Sequence, residues 1–477
     1  MPANYLHGVE TLELERGPRP VKTVKSAVIG LIGTAPIGPV NATTLSRSET
    51  DGAVFGPQLP GFTIPQALDG IYDFGAGTVL IINVLDPAVH KTNIAAESVA
   101  LDVSTGSGKT SKPALLNATV KSGDNVTTYV AGTDYSIDLV CGVITRIKTG
   151  AIPASPPPLK VTYDYADPTK VTSADIIGAV NAAGQRIGMK ALKDTYNLFG
   201  FFAKILIAPA FCTQNSVSAE LSAMADQLDA LTYIDAPIGT TFAQALAGRG
   251  PAGTINFNTS SDRVRLCYPH VKVYDPVLQA ERLEPLSVRA AGLRAKVDLD
   301  KGFWWSSSNQ ELLGITGVER QLSAMIDDPS SEVNMLNEVG ITTVFNSYGT
   351  GMRLWGNRTA AFPTVTHMRN FENVRRTGDM LNESMRYFSL QYTDMPLNQA
   401  LIDSLVESAN GYGRKLIGDG ALLGFNAWFD PARNPQTELA AGHLLISYKY
   451  TPPPPMERLT FETEITSEYL LTLKGAK

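Results

Sequence analysis

The sequence has few cysteines and few histidines. Its three cysteines, Cys141, Cys212 and Cys267, lie far apart among 477 residues. No pair has the spacing of a zinc site or of a disulfide framework. We therefore expect three reduced, mostly buried thiols in a cytoplasmic setting. The five histidines are scattered as well, and the sequence predicts no metal site.

Long apolar runs and excess positive charge are also missing. The first twenty residues carry three glutamates and no apolar core, so no signal peptide is predicted. The apolar runs at 27–40 and 198–211 are interrupted by Gly, Pro or Lys204 and are too short to cross a bilayer. A net charge of −6 argues against a nucleic-acid scaffold. We expect a soluble protein of roughly two to four domains.

Motifs for enzyme chemistry are incomplete. Residues 105–110 (TGSGKT) resemble a phosphate-binding loop, but Val103 stands where that motif requires glycine. The G-x-G sequences that begin at Gly75, Gly349, Gly411 and Gly418 lack the third glycine of a dinucleotide fingerprint. Residues 163–167 (YDYAD) could ligate a cation, although an exposed strand end explains them better. We expect neither a catalytic site nor a cofactor; the alternatives kept open are a nucleotide-using α/β enzyme and a scaffold or binding protein that never polymerises.

Apolar strands separated by amphipathic helices indicate a mixed α/β core. Residues 27–33 and 78–85 are continuous apolar strands, and between them Ile64, Ala67 and Ile71 belong to a helical stripe. Such strands are typical of a sheet covered on both faces. The later predicted strands are 204–208, 233–238, 264–274, 341–345, 444–450 and 459–465. The later predicted helices are 217–231 (with Ser216 as its N-cap), 241–246, 285–296, 372–390 and 398–416.

Composition changes between about residues 90 and 168. Thr, Ser, Gly, Asp and β-branched residues dominate there, with Gly132 and Gly142 at turns. This pattern predicts a small antiparallel β domain inserted into the α/β core. We divide the chain into an extended arm (1–20), a first core part (21–88), the inserted domain (89–168), the remaining core (169–450) and a C-terminal strand arm (451–477).

Both ends of the sequence alternate like half-buried strands without a local partner. At the N-terminal end the alternating apolar residues are Val9, Leu12 and Leu14, followed by a Gly-Pro-Arg-Pro break. At the C-terminal end they are Leu459, Phe461 and Ile465, preceded by four prolines at 452–455. Unpaired strand groups favour association with another chain. We expect both arms to pair with neighbouring subunits while the Pro-rich joints swing; the alternative is that they fold back onto their own core.

The stretch from 340 to 376 combines a strand, a glycine turn and five arginines against one acid, Glu372. Its key residues in order are Trp355, Gly356, Arg358, Thr359, Arg375 and Arg376. This order resembles the central signature of contractile tail sheath proteins, the family that forms the sleeve of contractile phage tails and R-type bacteriocins. Asn357 departs from the alanine usual there, and Phe371 from the usual tyrosine. The resemblance extends to residues 7–10 and 28–36.

The resemblance implies a structural and mechanical function. Copies would stack as hexameric rings around a tail tube, and the sleeve would contract and drive the tube through a target cell envelope. The expected partners are further copies, the tube protein, and baseplate and tail terminator proteins. No direct contact with nucleic acid and no direct insertion into a membrane are expected. The particle would be a virion whose tail assembles in the host bacterial cytoplasm.

The resemblance also suggests roles for particular residues. Trp355 should anchor the core, with Arg358 and Arg375 or Arg376 bonded to carbonyls or carboxylates. The helix that ends near Arg414 and Lys415 should line the inside of the sleeve and meet acidic groups on the tube. The alternative for these two cations is that they only complement the helix dipole.

Overall fold

A computed structural model describes residues 21–75, 77–276, 278–346, 349 and 351–470. The predicted N-terminal arm with Val9, Leu12 and Leu14 lies outside these residues. The strands are β1 Val28–Gly33, β2 Thr44–Ser46, β3 Thr78–Asn83, β4 Lys91–Val99, β5 Ser107–Lys109, β6 Leu115–Lys121, β7 Tyr135–Asp138, β8 Val143–Arg146, β9 Leu159–Ala166, β10 Ile205–Ile207, β11 Leu231–Asp235, β12 Val264–Cys267, β13 Val271–Asp275, β14 Ala280–Glu284, β15 Gln310–Glu311, β16 Gly317–Val318, β17 Ile341–Asn346, β18 Met352–Trp355, β19 Gly424–Phe429 and β20 Ile446–Thr451. The helices are α1 Glu49–Gly52, α2 Thr63–Tyr72, α3 Ser173–Ile177, α4 Thr195–Phe199, α5 Asn215–Leu228, α6 Phe242–Ala247, α7 Leu286–Asp300, α8 Glu332–Glu338, α9 Glu372–Ser389, α10 Gln399–Gly418 and α11 Gln436–Ala440.

A nine-stranded sheet organises the chain, in the order β15-β18-β17-β12-β11-β10-β1-β3-β2. The strands from β3 through β1, β10, β11 and β12 to β17 are parallel. The outer strands β2, β18 and β15 pair antiparallel to their neighbours. Parallel strands require a crossover between them, which the intervening helices supply. The prediction of a mixed α/β core is confirmed.

Both faces of this sheet are covered, and β1 and β10 carry only apolar residues and glycine. Ile29 and Leu31 belong to the apolar cluster on the face of α2 and α7. Val28 and Ile32 belong to the cluster on the other face, with α5. Successive side chains of a strand point to opposite faces, so the run Val28–Gly33 contributes to two cores at once.

The chain between β4 and β9 forms two three-stranded antiparallel sheets, β4-β9-β6 and β5-β8-β7. They enclose an apolar cluster of their own, which includes Val120, Ile144 and Tyr163. The turns before and after β7 contain Gly132, with a φ of +81°, and Gly142, with a φ of +70°. Antiparallel sheets of this kind agree with the composition of the segment.

Several predicted boundaries were wrong. Helix α5 begins at Asn215 with Gln214 as its N-cap, so Ser216 lies inside the helix. The single strand predicted over 264–274 is divided into β12 and β13, because Pro269 between them has no backbone N–H to donate to a ladder. Strand β11 begins and ends earlier than 233–238, and β19 was not predicted at all.

The C-terminal part packs α9 and α10 with the hairpin-like pair β19-β20. An apolar cluster that includes Phe303, Leu381, Tyr412 and Leu416 lies between them, and Val24 packs against it. Beyond β20, residues 452–466 form neither helix nor strand in the described chain. The strand predicted over 459–465 therefore has no partner within these residues. No helix of the described chain combines the length and the apolar character that crossing a bilayer requires.

A glycine in α10 sets how closely β19 approaches the helix. A Cβ added at Gly413 would lie 2.1 Å from the ring of Phe425. We expect Gly413→Ala to lower the free energy of unfolding by about 1–3 kcal/mol through overpacking. The matched control is Gly418→Ala in the same helix, where no atom lies within 4 Å and where alanine should stabilise by about 0.4–1 kcal/mol. Urea denaturation measures both; equal effects would contradict this account of the packing.

Candidate functional site

The arginine-rich stretch begins on β17 and β18, at the end of the large sheet. Leu354 is fully buried, whereas Trp355 is only half-buried. The indole instead contacts the ring of Phe345, with centroids 4.8 Å apart. Neighbouring residues of a strand face opposite sides, so Leu354 enters the core on one face of β18 and Trp355 lies on the other face, against the buried Phe345. Leu354 is the fully buried residue of the two, and the role of Trp355 as an anchor stays a prediction.

The residues after Trp355 hold the strand end to the next helix. Gly356 has a φ of +126°, and a Cβ there would lie 3.0 Å from the Cα of Thr342. Thr359 is fully buried, and its hydroxyl donates to the carbonyl of Asn370 at 3.0 Å. Both residues therefore serve close packing of backbone against backbone.

Glu372, the one acid of the stretch, is at the centre of a buried polar cluster. Its carboxylate accepts from Arg265 Nη1 at 2.7 Å, from the Tyr233 hydroxyl at 2.5 Å and from Ser307 Oγ at 2.8 Å. Arg294 Nη1 lies 4.0 Å away. Burial alone would raise the pKa of this carboxyl, but Arg265 and then Arg294 outweigh it and hold the pKa at about 2. Glu372 is thus ionised inside the protein.

Arg376, one turn further along α9, is buried in the same region. It forms an ion pair with Asp298 of α7, and it donates to the backbone carbonyls of Lys204 at 3.3 Å and Ser26 at 3.1 Å. These partners lie on three different segments of the core. Arg376 therefore joins α9 to α7 and to the strands of the sheet.

Arg375 lies nearer the surface and has looser contacts. Its guanidinium is 3.3 Å from Asp379 and 3.6 Å from Asp262. Asp379 is also paired with the buried Arg263. Arg375 therefore belongs to the rim of the buried charge cluster.

Sequence reasoning did not find the partners of these groups, although a signal was present. Arg265 lies in a strand whose four residues are all buried, and Arg294 and Asp298 lie on buried positions of α7. Charged residues at positions that periodicity assigns to a core require partners. Those partners are distant in sequence, so only the fold identifies them.

Arg358 connects the stretch to the C-terminal segment. Its Nε donates to Glu457 Oε1 at 3.0 Å, and its Nη2 donates to the other oxygen of the same carboxylate. Its Nη1 donates to Asn370 Oδ1 at 2.6 Å. The guanidinium lies 4.3 Å from the ring centroid of Phe362 and 3.8 Å from that of Phe371. All three nitrogens of the group therefore donate a hydrogen bond, and two aromatic rings lie against it.

The C-terminal arm presents apolar side chains to solvent. Leu459 is 60% exposed, Phe461 is 80% exposed and Ile465 is fully exposed. Exposed apolar residues in a row mark an interaction surface more often than single ones do. The described part of the chain offers them no sheet, so the alternative that this arm folds back onto its own core does not hold for these residues.

The pair β19-β20 has a sheet edge beside an apolar cavity. The cavity has a volume of about 330 Å³, and its lining includes Met385, Phe388, Leu405 and Tyr448. It lies between α9, α10 and β20. Two strands alone leave ladder groups unpaired on their outer edges, and this arrangement can accept a further strand with apolar side chains.

Arg414 and Lys415 lie on the exposed surface of α10. Arg414 Nη2 is 2.5 Å from Glu407, and Lys415 Nζ is 2.7 Å from Asp419. Both partners are on or next to the same helix. The two cations are therefore accessible, and their charges are balanced locally.

The segment at 105–110 does not form a phosphate-binding loop. It is a turn followed by β5, which pairs with β8. A phosphate-binding loop needs a helix directly after it, with its amides directed at the anion. The described residues also contain no group of His, Cys, Asp or Glu that could hold a metal ion, and Asp164 instead accepts from Asn93 and Asn117.

Glu372→Gln tests the buried cluster through its pH dependence. The pKa of Glu372 is about 2 in the folded protein against an ordinary 4.5. The ionised carboxylate therefore stabilises the fold above pH 4.5, and this contribution is lost as the pH falls toward 2. We expect the variant to lose about 3–5 kcal/mol at neutral pH and the difference from wild type to shrink below pH 4.5. Denaturant unfolding across pH measures it, with the exposed Glu464→Gln as control; a pH-independent difference would refute the assignment.

Two models of known domains match this chain. The phage tail sheath protein central domain matches residues 184–360, and the phage tail sheath C-terminal domain matches residues 364–466. Together they cover more than half of the sequence. Both matches include or adjoin the arginine-rich stretch described above.

Individual proteins and structures are similar over almost the whole chain. The tail sheath protein of Burkholderia phage BcepMu is 77% identical over 475 residues, with 100% of both chains covered. The tail sheath protein of Escherichia phage P2 is 28% identical and covers 99% of this chain and 98% of its own. The sheath of an extracellular contractile injection system, PVC, in the contracted state shares the fold with a TM-score of 0.59 at 14% identity, covering 98% of this chain and 99% of its own. The chain belongs to the phage tail sheath protein family.

Proposed function

We propose that this protein is the repeating subunit of a contractile tail sheath. Copies stack as hexameric rings around a tail tube, and shortening of the sleeve drives the tube through the envelope of a target cell. The observation that carries the proposal is a core fastened by buried ion pairs, from which an apolar, unpaired arm extends. Such a subunit can shift as a rigid body while its arm keeps it attached to a neighbour.

The arms are the proposed connection between subunits. Strand addition satisfies backbone groups on both partners, and alternating side chains select the register. On this proposal the arm with Leu459, Phe461 and Ile465 lies along the free edge of β19-β20 in another copy. The N-terminal arm with Val9, Leu12 and Leu14 makes the corresponding link at the other end of the chain.

The remaining partners follow from the position of a sheath in the tail. The sleeve surrounds a tube protein and ends at baseplate and tail terminator proteins, and it needs no direct contact with nucleic acid or membrane. The subunits assemble in the cytoplasm of the host bacterium and leave it as part of the virion. On the inside of the sleeve, Arg414 and Lys415 meet acidic groups of the tube. Contacts between exposed charges are weak and screened by salt, which suits a surface that must release.

The variant Phe461→Asp tests whether the C-terminal arm connects subunits. A charge placed on the apolar face of the arm should prevent its docking, whereas Thr460→Asp adds the same charge to the opposite face. We expect subunits of both variants to stay folded, since both positions are exposed, but only Thr460→Asp to form sleeves in negative-stain images. Removal of residues 1–18 should likewise leave a folded subunit without sleeves. If Phe461→Asp polymerises as well as wild type, the C-terminal arm does not connect subunits.

The double charge reversal Arg414→Glu with Lys415→Glu tests the tube-facing surface. We expect extended tails to be lost while the subunit folds normally, because two attractive contacts per copy become repulsive. The control is Glu407→Gln with Asp419→Asn, which removes the same local ion pairs but keeps both cations. Normal extended tails from the double reversal would refute the proposed contact, and equal loss in the control would assign the effect to the helix itself.

A further inference from the structure

The segment between β20 and the exposed arm crosses an open cavity. Residues 452–457 are called the strap below. Its residues 453–457 form part of the lining of a cavity of about 920 Å³, which Trp304, Trp305 and Trp355 also line. Much of the strap is therefore not packed against the core. Its four prolines also have no N–H to donate. A few discrete contacts must hold it.

Two polar contacts attach the strap to the arginine-rich stretch. At its beginning, Asn373 Nδ2 donates to the carbonyl of Pro453 at 3.3 Å. At its end, Glu457 receives the two donors of Arg358 described above. The first contact is a single, long hydrogen bond. The second is a charge-assisted pair with two parallel bonds, which constrains direction as well as distance.

Contacts other than the one with Glu457 also hold the side chain of Arg358 in place. Phe362 and Phe371 lie against the guanidinium, and Asn370 accepts from its remaining nitrogen. A planar guanidinium that stacks on aromatic rings is an orienting group that lysine cannot replace. The side chain of Arg358 is 16% exposed and that of Glu457 is 42% exposed. The arginine is thus part of the core, and the glutamate is the group that it captures.

We propose that Arg358 is the positioning residue of the C-terminal arm, because it captures Glu457 and so fixes the point and the direction from which the arm leaves the core. The pivot of the arm then lies after Glu457, and the Pro-rich strap moves with the core instead of acting as the joint. The function of this pair rests on the proposed exchange of arms between subunits. The capture of the strap by this pair does not rest on that exchange. The capture and the positioning of the arm can therefore be measured separately.

Trypsin cleavage after Arg458 in the unassembled subunit measures the capture. The bond lies one residue beyond Glu457, and a protease must draw several residues on each side of it into its own site, so the cleavage rate reports how often Glu457 leaves Arg358. We expect Arg358→Lys and Glu457→Gln to raise the rate of this one cleavage about two- to fivefold, as the loss of a partly exposed ion pair would. Arg358→Lys leaves the cleaved sequence unchanged. Glu462→Gln, which removes one charge from the exposed arm, is the control and should cleave like wild type.

Sleeve formation by the same full-length variants measures the positioning. We expect fewer sleeves from Arg358→Lys and Glu457→Gln than from Glu462→Gln or wild type, at an unchanged melting temperature. If Arg358→Lys fails to fold, Glu457→Gln decides, since that side chain is largely outside the core. An unchanged cleavage rate would overturn the capture, and faster cleavage with normal sleeves would overturn the positioning. If cleavage is faster but sleeves are normal, the Phe461→Asp variant shows separately whether subunits exchange arms.

Discussion

The ionised carboxylate of Glu372 is the group on which the rest of the structure depends most. An isolated carboxylate inside a protein is strongly unfavourable, and it is tolerated only where donors and opposite charges surround it. Its donors come from β11, β12 and the loop after α7. Helix α9, which begins at Glu372, can therefore occupy only one position on the sheet. One turn later in α9, Arg376 also fixes the position of the helix, through its ion pair with Asp298 of α7.

The two halves of the sheet are consequently held in different ways. The side chains of β1 and β10 pack in apolar clusters on both faces of the sheet, and such contacts have no preferred direction. Around β12, α7 and α9 the contacts are hydrogen-bonded ion pairs, which tolerate little displacement once buried. The second half also carries Arg358, from which the strap and the arm extend. On the proposed function, a subunit built in this way would move as a whole under force, and its change would be concentrated where the chain leaves the core.

Prediction from the sequence succeeded where the pattern of neighbouring residues alone determines the secondary structure. The apolar run of β1 and the stripe of α2 need no distant partner to be identified. It failed where the outcome depends on contacts made across the fold. The anchoring role was expected of Trp355 from the family resemblance, whereas the fully buried residue of that strand is Leu354. The buried cluster was missed because Glu372 and Arg265 are 107 residues apart, and β19 was missed because its inward face is formed against α10.

Structures of the assembled sleeve before and after contraction test the central claim most directly. Cryo-electron microscopy of both states, superposed on the large sheet, gives the displacement of every segment. The account predicts that residues 21–457 superpose as one body, with the Arg358–Glu457 and Arg265–Glu372 pairs intact in both states, and that the chain changes direction after Glu457. A displacement of α9 relative to the sheet, or a bend within residues 452–455, would contradict it.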